Sequence, residues 1–553
     1  MTRAVIYLNP EAFDTRGPTL MGRHAAGESF LRGYLRHSRS ERFHFWNVAG
    51  RPRDQLDPLV TRIWQVDRPV TWIDQLDRSG LGEVGVVHYP TPNLAREAWL
   101  RRACAHPKAY GVSGITHTTA EHALMDAIGD LVSGPIEAWD RLICTSSAVR
   151  SATEWQINAV RDDLERRLGA RHLPEPQLVT IPLGLNADDF APDPEARARI
   201  RRAHDIPDEA VVVLYVGRFS AKNKMNPVPM ALALDQAAAA ADRPVVWLNA
   251  GWGEDFHAQV SALCPGVRYI TLDGRSPEVR FPVWSAGDIF LSLTDNVQET
   301  FGLTPLEAMA AGLPTVVSDW NGYKDTVRHG IDGFRIPTWA PPPGYGYDLA
   351  VRYASMALAY HDYVGGASQL IAVDVGEAAR ALGDLIQNPD LRRRMGDAAR
   401  QRAREVFDWS AIIPQYEDLW DEMNAVREAA GPDARVMRER QPNPRRPDPF
   451  TLFGNYPTEA LRGDGRVAAV AGAEARLKQI LGTPTATFGG NFLPTVPELE
   501  KMVARLAEAG ELTVDGLAAG FPEGRRTRIR RAVLFLAKYH LAVILPTAAS
   551  AAS

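Results

Sequence analysis

Short apolar runs ending in Gly, Pro, Asn or His alternate along this chain with longer stretches of helical periodicity. That alternation predicts βαβ units wound around parallel sheets. A first series places strands near Ala4–Leu8, Phe43–Val48, Arg62–Val66, Gly85–His88, Tyr110–Thr116, Leu142–Cys144 and Leu178–Ile181, with helices at Gly27–Arg36 and Ser147–Leu168 among them. A second series follows Pro207, with strands at Val211–Val216, Val245–Asn249, Tyr269–Leu272, Ile289–Leu293, Thr315–Val317 and Gly333–Ile336. Its intervening helices are Ala-rich, as at Met230–Ala241 and Glu307–Ala311. Two such series imply two Rossmann-like domains, over residues 1–190 and 205–409, with parallel sheets facing across a cleft. The stretch Leu183–Pro207, mixing Gly, Asn, Pro and charges, reads as the hinge region.

The pattern then changes. Thr338–Gly366, containing WAPPPGYGYDLAVRYASMALAYHDYVGG, reads as an ordered surface excursion. A loop with a short helix packed on its domain is favoured there over a lid for a partner or acceptor. A helix over Leu391–Val406 precedes FDWSAIIPQYEDLWDEM, whose Trp409, Ile412, Ile413, Tyr416, Leu419 and Trp420 are spaced for an amphipathic helix. Arg438–Pro449 is rich in Pro and Arg and reads as a linker. Beyond it, residues 450–545 show helical periodicity at Val496–Ala509, Thr513–Ala519 and Arg525–Lys538 and end on the β-like run LAVIL. This predicts a mainly helical accessory domain, winged-helix-like in outline.

Composition narrows the function classes. The 553 residues carry a net charge of −5, so no strong basic field recruits nucleic acid non-specifically. RRTRIRR at Arg525–Arg531 is a local exception, but nearby Glu498, Glu500, Glu508, Glu511 and Asp515 dilute it. Protein docking or self-association through 450–545 is the better expectation. Cys104, Cys144 and Cys264 are far apart and show no metal-ligand spacing. A disulfide framework and a zinc site are therefore disfavoured, and the reading is of a cytoplasmic chain with no metal. MTRAVIYLNP is not a signal peptide, and no apolar stretch reaches membrane-spanning length.

The sharpest chemical signal is DNVQETFGLTPLEAMAAGLPTVVSD, in which seven residues separate Glu299 from Glu307. A turn enters a helix here, with Pro305 acceptable in the first turn. Backbone N–H groups near Phe301, Gly302, Leu303 and Thr304, with the helix dipole, favour an anion such as a nucleotide diphosphate. Glu299 precedes the helix and would face a sugar; Glu307 lies inside it and could accept hydrogen bonds from ribose hydroxyls.

A second signal is VVVLYVGRFSAKNKMNP. Gly217 ends a strand, where backbone can approach a ligand. Arg218 with Lys222 or Lys224 could stabilise charge growing on a departing diphosphate. A third is AYGVSGITHTTAEHAL, which sets His117 at a strand end.

The first segment resembles the glutamate-x7-glutamate motif of retaining GT-B glycosyltransferases, the glycogen-synthase and sucrose-phosphate-synthase kind within glycosyl transferases group 1. Gly302, the run Glu307–Pro314, Ser318 and Gly333 stand where that family has them. The resemblance spans roughly Met1–Ala425 and is best over Val211–Thr338. It implies that Arg218 and a lysine grip the diphosphate; the usual lysine position, 223, is Asn here, so Lys224 is preferred, because the Pro that follows resembles a subgroup with a longer loop, and Lys222 is the alternative. It implies that His117 contacts the donor sugar, flanked by Thr116 and Thr118, and that helix 410–425 crosses back onto the first domain. WDRLICTSSAVR and VTIPLGLNADDF resemble segments closing the first domain; Ser146 and Gly184 read as architectural, and Asn186 replaces the usual Asp. LMGRHAAGESF offers Gly22 and Gly27 without the family's adjacent Gly pair, so capping or close packing weighs equally with ligand contact.

The resulting expectation is retaining transfer of a hexose-type sugar from a nucleoside diphosphate donor to an acceptor hydroxyl, without a metal or cofactor. UDP or GDP is favoured as the donor nucleotide, and the acceptor is a glycan, a lipid-linked sugar or another hydroxyl compound. The alternative is a catalytically degenerate binding or scaffold subunit acting through its C-terminal domain.

Overall fold

A computed structural model of the chain describes residues 4–13, 15, 22–65, 67–431 and 443–545. The structure comprises two compact units, 1–445 and 446–553.

The larger unit is built on two parallel sheets. The first contains β1 (Val5–Leu8), β2 (Phe43–Asn47), β3 (Val70–Asp74), β4 (Val86–Tyr89), β5 (Gly111–Ile115), β6 (Arg141–Cys144) and β7 (Gln177–Thr180), in the order β3-β2-β1-β4-β5-β6-β7. The second contains β8 (Val211–Val216), β9 (Val245–Gly251), β10 (Arg268–Asp273), β11 (Ile289–Ser292), β12 (Thr315–Ser318) and β13 (Gly333–Ile336), in the order β10-β9-β8-β11-β12-β13. In each sheet the order reverses beside the first strand, between β1 and β4 and between β8 and β11. Such switch points open a crevice at the strands' carboxyl ends, where doubly wound proteins bind ligands. The central strands are apolar on both faces because helices cover both sides; β8 reads VVVLYV and β9 VVWLNAG.

One expected strand is absent. Arg62–Ile63 close a helix, Arg53–Ile63, whose Leu56, Val60 and Ile63 recur at helical spacing and are buried. The third strand instead falls at Val70–Asp74. The five-residue run RIWQV, with only three apolar residues, was too short to distinguish strand from helix end. Val66 lies outside the described residues.

The chain passes between the sheets twice at one place. Leu185 donates its N–H to the Phe407 carbonyl at 3.0 Å, and Trp409 returns one to Leu185 at 3.0 Å. The stretch between the two series is not bare hinge, since it holds a helix at Pro194–Ala203, started by the Asp193 side chain. After the second pass the long helix Trp409–Ala429 lies against the helix Gly22–His37 of the first sheet's layer. Trp409 fills the space that two glycines leave: a Cβ on Gly33 or Gly184 would meet its ring at 2.3 and 2.6 Å. Its indole N–H donates to Ser29 at 2.8 Å.

The smaller unit differs from the expected three helices and single strand. It carries a three-stranded antiparallel sheet of β16 (Arg466–Ala469), β17 (Glu511–Thr513) and β18 (Ala542–Ile544), with β16 in the middle. Helices Ala473–Leu481, Val496–Ala509, Val514–Ala519 and Glu523–Lys538 pack on it around a core of its own. Of the Arg-rich run, Arg525 pairs with Glu498 and Arg530 with Asp515, while Ile529 is buried. Of the linker read at Arg438–Pro449, residues 438–442 lie outside the described residues. Among the described residues no helix is long and apolar enough to cross a membrane.

Candidate active site

At the carboxyl end of β8 the backbone turns at Gly217, where a Cβ would meet the Tyr215 hydroxyl at 2.6 Å. The loop that follows folds back on Ser220, whose carbonyl accepts the Lys224 N–H at 2.9 Å. This aims the Lys224 ammonium at Glu299, with which it pairs. Burial pulls the Lys224 ammonium down, but Glu299 and the Tyr215 hydroxyl more than offset this and hold its affinity for a proton above the ordinary lysine range. Arg218 lies close enough to Lys224 to oppose that rise. Lys222 points elsewhere, to Asp362 at 2.7 Å.

Glu299 sits on a loop held from several sides. Asn321 donates to its carbonyl at 2.6 Å, and the Ser146 hydroxyl, reaching over from the first sheet, donates to the Thr300 carbonyl at 2.7 Å. The loop enters the helix Leu303–Ala311 through Gly302, which has φ +88° and abuts the Tyr323 ring so closely that a Cβ would fall 2.0 Å from it. No side chain caps this helix. The Phe301 side chain is buried near Phe407, so only its backbone is available to a ligand. Glu307, one turn further, is largely buried. Desolvation raises its carboxyl to about 7 against the weaker pull of Arg280 and Lys224. The structure thus pairs Lys224 with Glu299 just before the helix start and sets Arg218 and Glu307 within electrostatic reach of Lys224.

His117 stands on the other sheet, just past β5, exposed, with its Nε2–H donating to the Pro90 carbonyl at 2.6 Å. Beneath it lies His88, buried with Nδ1 3.2 Å from the Ser113 hydroxyl. Burial, helped by the His117 charge, pushes His88 down to about 3 and keeps it neutral. Gly27 packs closely, since a Cβ there would strike the Ala12 carbonyl at 2.4 Å, whereas Gly22 has open space around it. Leu20 and Met21 of that segment lie outside the described residues.

Sequence reasoning missed a recess of about 270 Å³ at the carboxyl ends of β9 and β10, lined by Phe219, Trp252, Glu254, Phe256, Tyr269 and Arg275 among others. It adjoins the Gly217 turn, since a Cβ on Gly251 would meet the Gly217 carbonyl at 1.9 Å. The signal was present in NAGWGED, where two glycines follow a strand. Among the described residues no cluster of His, Cys, Asp and Glu could hold a metal ion.

Two doubly wound sheets, each with its switch point toward a shared crevice, and a glycine-entered helix at that crevice define a GT-B protein. Residues 210–343, which hold the second sheet and its glutamate-bearing helix, match the family Glycosyl transferases group 1. A phosphatidyl-myo-inositol mannosyltransferase of Mycobacterium leprae is 23% identical over 340 residues, 60% of this chain and 72% of that protein. A D-inositol 3-phosphate glycosyltransferase of Geodermatophilus obscurus is 30% identical over 189 residues, 32% of this chain and 39% of that protein. The crystal structure of Anabaena HepE in complex with UDP-glucose is 14% identical, with a TM-score of 0.48 over 76% of this chain and 99% of that one.

Proposed function

We propose that this protein transfers a hexose-type sugar from a nucleoside diphosphate sugar to an acceptor hydroxyl with retention of configuration. The observation that carries the reading is the convergence of Lys224, Glu299 and Glu307 on the glycine-entered start of the Leu303–Ala311 helix. In this reading the uncapped N–H groups of Leu303 and Thr304, with Arg218 and Lys224, hold the diphosphate and stabilise its charge as the glycosidic bond breaks. Glu307 accepts from the ribose hydroxyls, and the recess beside Gly251 takes the base. Glu299, held by Lys224, faces the sugar from below, and His117 faces it from the first sheet. The lysine and arginine do the work a divalent ion does elsewhere, so turnover is expected to persist in EDTA. UDP and GDP are the donors of choice, and inositol compounds belong in the acceptor panel because both curated relatives bear inositol in their names.

The test is a thermal-shift panel of UDP-, GDP-, ADP- and TDP-sugars on the wild type and on Glu307→Ala. At 100 times its dissociation constant a donor adds about 2.7 kcal/mol. A shift with one donor that Glu307→Ala abolishes supports the reading. The absence of any shift would favour a binding subunit without catalysis. Retention is read from the anomeric coupling constant of the isolated product.

A further inference from the structure

Between β13 and the rest of its domain the chain makes an excursion. β14 (Thr338–Trp339) pairs antiparallel with β15 (Ala372–Val373), closing a loop that contains the helices Tyr347–Ala354 and Tyr360–Ser368. The two helices grip both sides of the crevice. Toward the first sheet, the Tyr353 ring is 4% exposed and stacks between His122 at 3.7 Å and Tyr363 at 4.1 Å. Its hydroxyl accepts the His122 backbone N–H and donates to the Ala120 carbonyl, both at 3.1 Å. The Tyr360 hydroxyl lies 3.2 Å from that of Thr118, the residue after His117.

Toward the second sheet, Asp362 pairs with Lys222, and His361 donates to the Asn223 side chain at 2.9 Å. Gly365 lies so close that a Cβ would fall 3.1 Å from that of Lys222. Asn296 joins the same cluster, donating to the Lys222 carbonyl at 2.7 Å and to Ser368 at 2.9 Å. Arg218 is within electrostatic reach of the Tyr360 hydroxyl. One helix pair therefore touches the loop that carries Lys224 and the loop that carries His117.

Opposed domains joined by two strands of chain move relative to each other unless something fixes them. Sub-ångström placement decides rate when the reacting groups come from both sides. We propose that Tyr353 and Tyr360 are positioning residues for the transfer reaction: through Ala120, His122 and Thr118 they set the His117 loop at its working distance from the Lys224 loop. This rests on the transferase reading above. Arg218, Lys224 and Glu307, which would hold the nucleotide and its diphosphate, all belong to the second sheet's layer, so the strap bears on transfer, where His117 meets the sugar, more than on donor affinity.

The experiment compares the full chain with Tyr360→Phe, Tyr353→Phe and the double variant Tyr353→Ala/Tyr360→Ala. Three quantities are measured: amide hydrogen exchange without ligand, donor Kd, and kcat with saturating donor. The expected result is faster exchange over 117–124 in the double variant, donor Kd within about threefold of wild type, and kcat lower by about 10- to 100-fold. Tyr353→Phe keeps the stacked ring and should fall between wild type and the double variant, while Tyr360→Phe isolates the hydroxyl facing Thr118. Wild-type kcat in the double variant, or donor affinity lost in step with kcat in all three variants, would overturn the positioning role while leaving the transferase reading standing. A wild type that binds no nucleotide sugar would overturn both.

Discussion

Lys224 and Glu299 form a part-buried ion pair. Removing the lysine leaves a carboxylate in a half-dry site and takes away the charge proposed to receive the leaving diphosphate. Lys224→Ala should therefore lower kcat by on the order of 10²- to 10³-fold, the loss typical of deleting one preorganised charge-stabilising group. Lys222→Ala should leave kcat within about threefold, because its ammonium is turned away from Glu299 to an exposed pair with Asp362 that contributes little, the helix pair being held there also by Asn223 and Asn296. Steady-state kinetics on the two variants checks the pair of statements. Glu307 adds a pH dependence. Its carboxyl is raised from 4.5 to about 7 by burial, so folding takes up a proton between those values. The stability it contributes is fully present below pH 4.5 and is lost as pH rises through 7. Glu307→Gln, neutral throughout, should match wild type near pH 4.5 and melt higher at pH 8, by up to ~3 kcal/mol in stability. Donor affinity should move the opposite way in the wild type, strengthening as the carboxylate ionises and becomes the better acceptor for ribose hydroxyls.

At the scale of elements, the turn into the Leu303–Ala311 helix is the most constrained feature of the site. Gly302 combines a left-handed backbone with direct contact on Tyr323. Gly302→Ala should cost about 2–4 kcal/mol from strain and overpacking together, measured as a lower urea midpoint at unchanged slope. That this element was legible in advance has a physical reason. Its glycine, its proline in the first turn and its two carboxylates are each dictated locally, so their order along the chain reports their arrangement in space. The sheet strands were legible likewise, because strands covered on both faces are continuous apolar runs such as VVVLYV. The short run Arg62–Val66 failed this test, since its Ile63 fits the buried face of a helix equally well. Contacts made between distant segments were not legible. Nothing local in YASMALAYHDY tells Tyr353 to stack on His122, 231 positions away. Lys222 and Lys224 could not be separated by spacing alone, because the turn at Ser220 decides which of them faces Glu299.

At the scale of the whole molecule, the smaller unit has its own core, with Val467, Leu477, Met502, Leu506, Leu517 and Leu536 all buried. Residues 446–553 produced alone should fold, with a cooperative thermal transition and dispersed amide signals. An unstructured spectrum would show that they depend on the rest of the chain. The larger unit carries a consequence of a different kind. Leu185 donates to the Phe407 carbonyl and accepts from the Trp409 N–H at the double crossing, so the chain enters and leaves the second sheet's layer at neighbouring points. Everything between them, including the helix that starts at Gly302 and the excursion that carries Tyr353, is inserted as one cassette. Recombination at these two sites could replace that cassette with one built for another nucleotide sugar without rerouting the first sheet. The Trp409 seat on Gly33 and Gly184 would stay intact. Under the proposed transferase reading, the chain's connectivity would separate the choice of donor from the choice of acceptor, and Tyr353 and Tyr360 mark where an exchanged cassette would have to be refitted to its host.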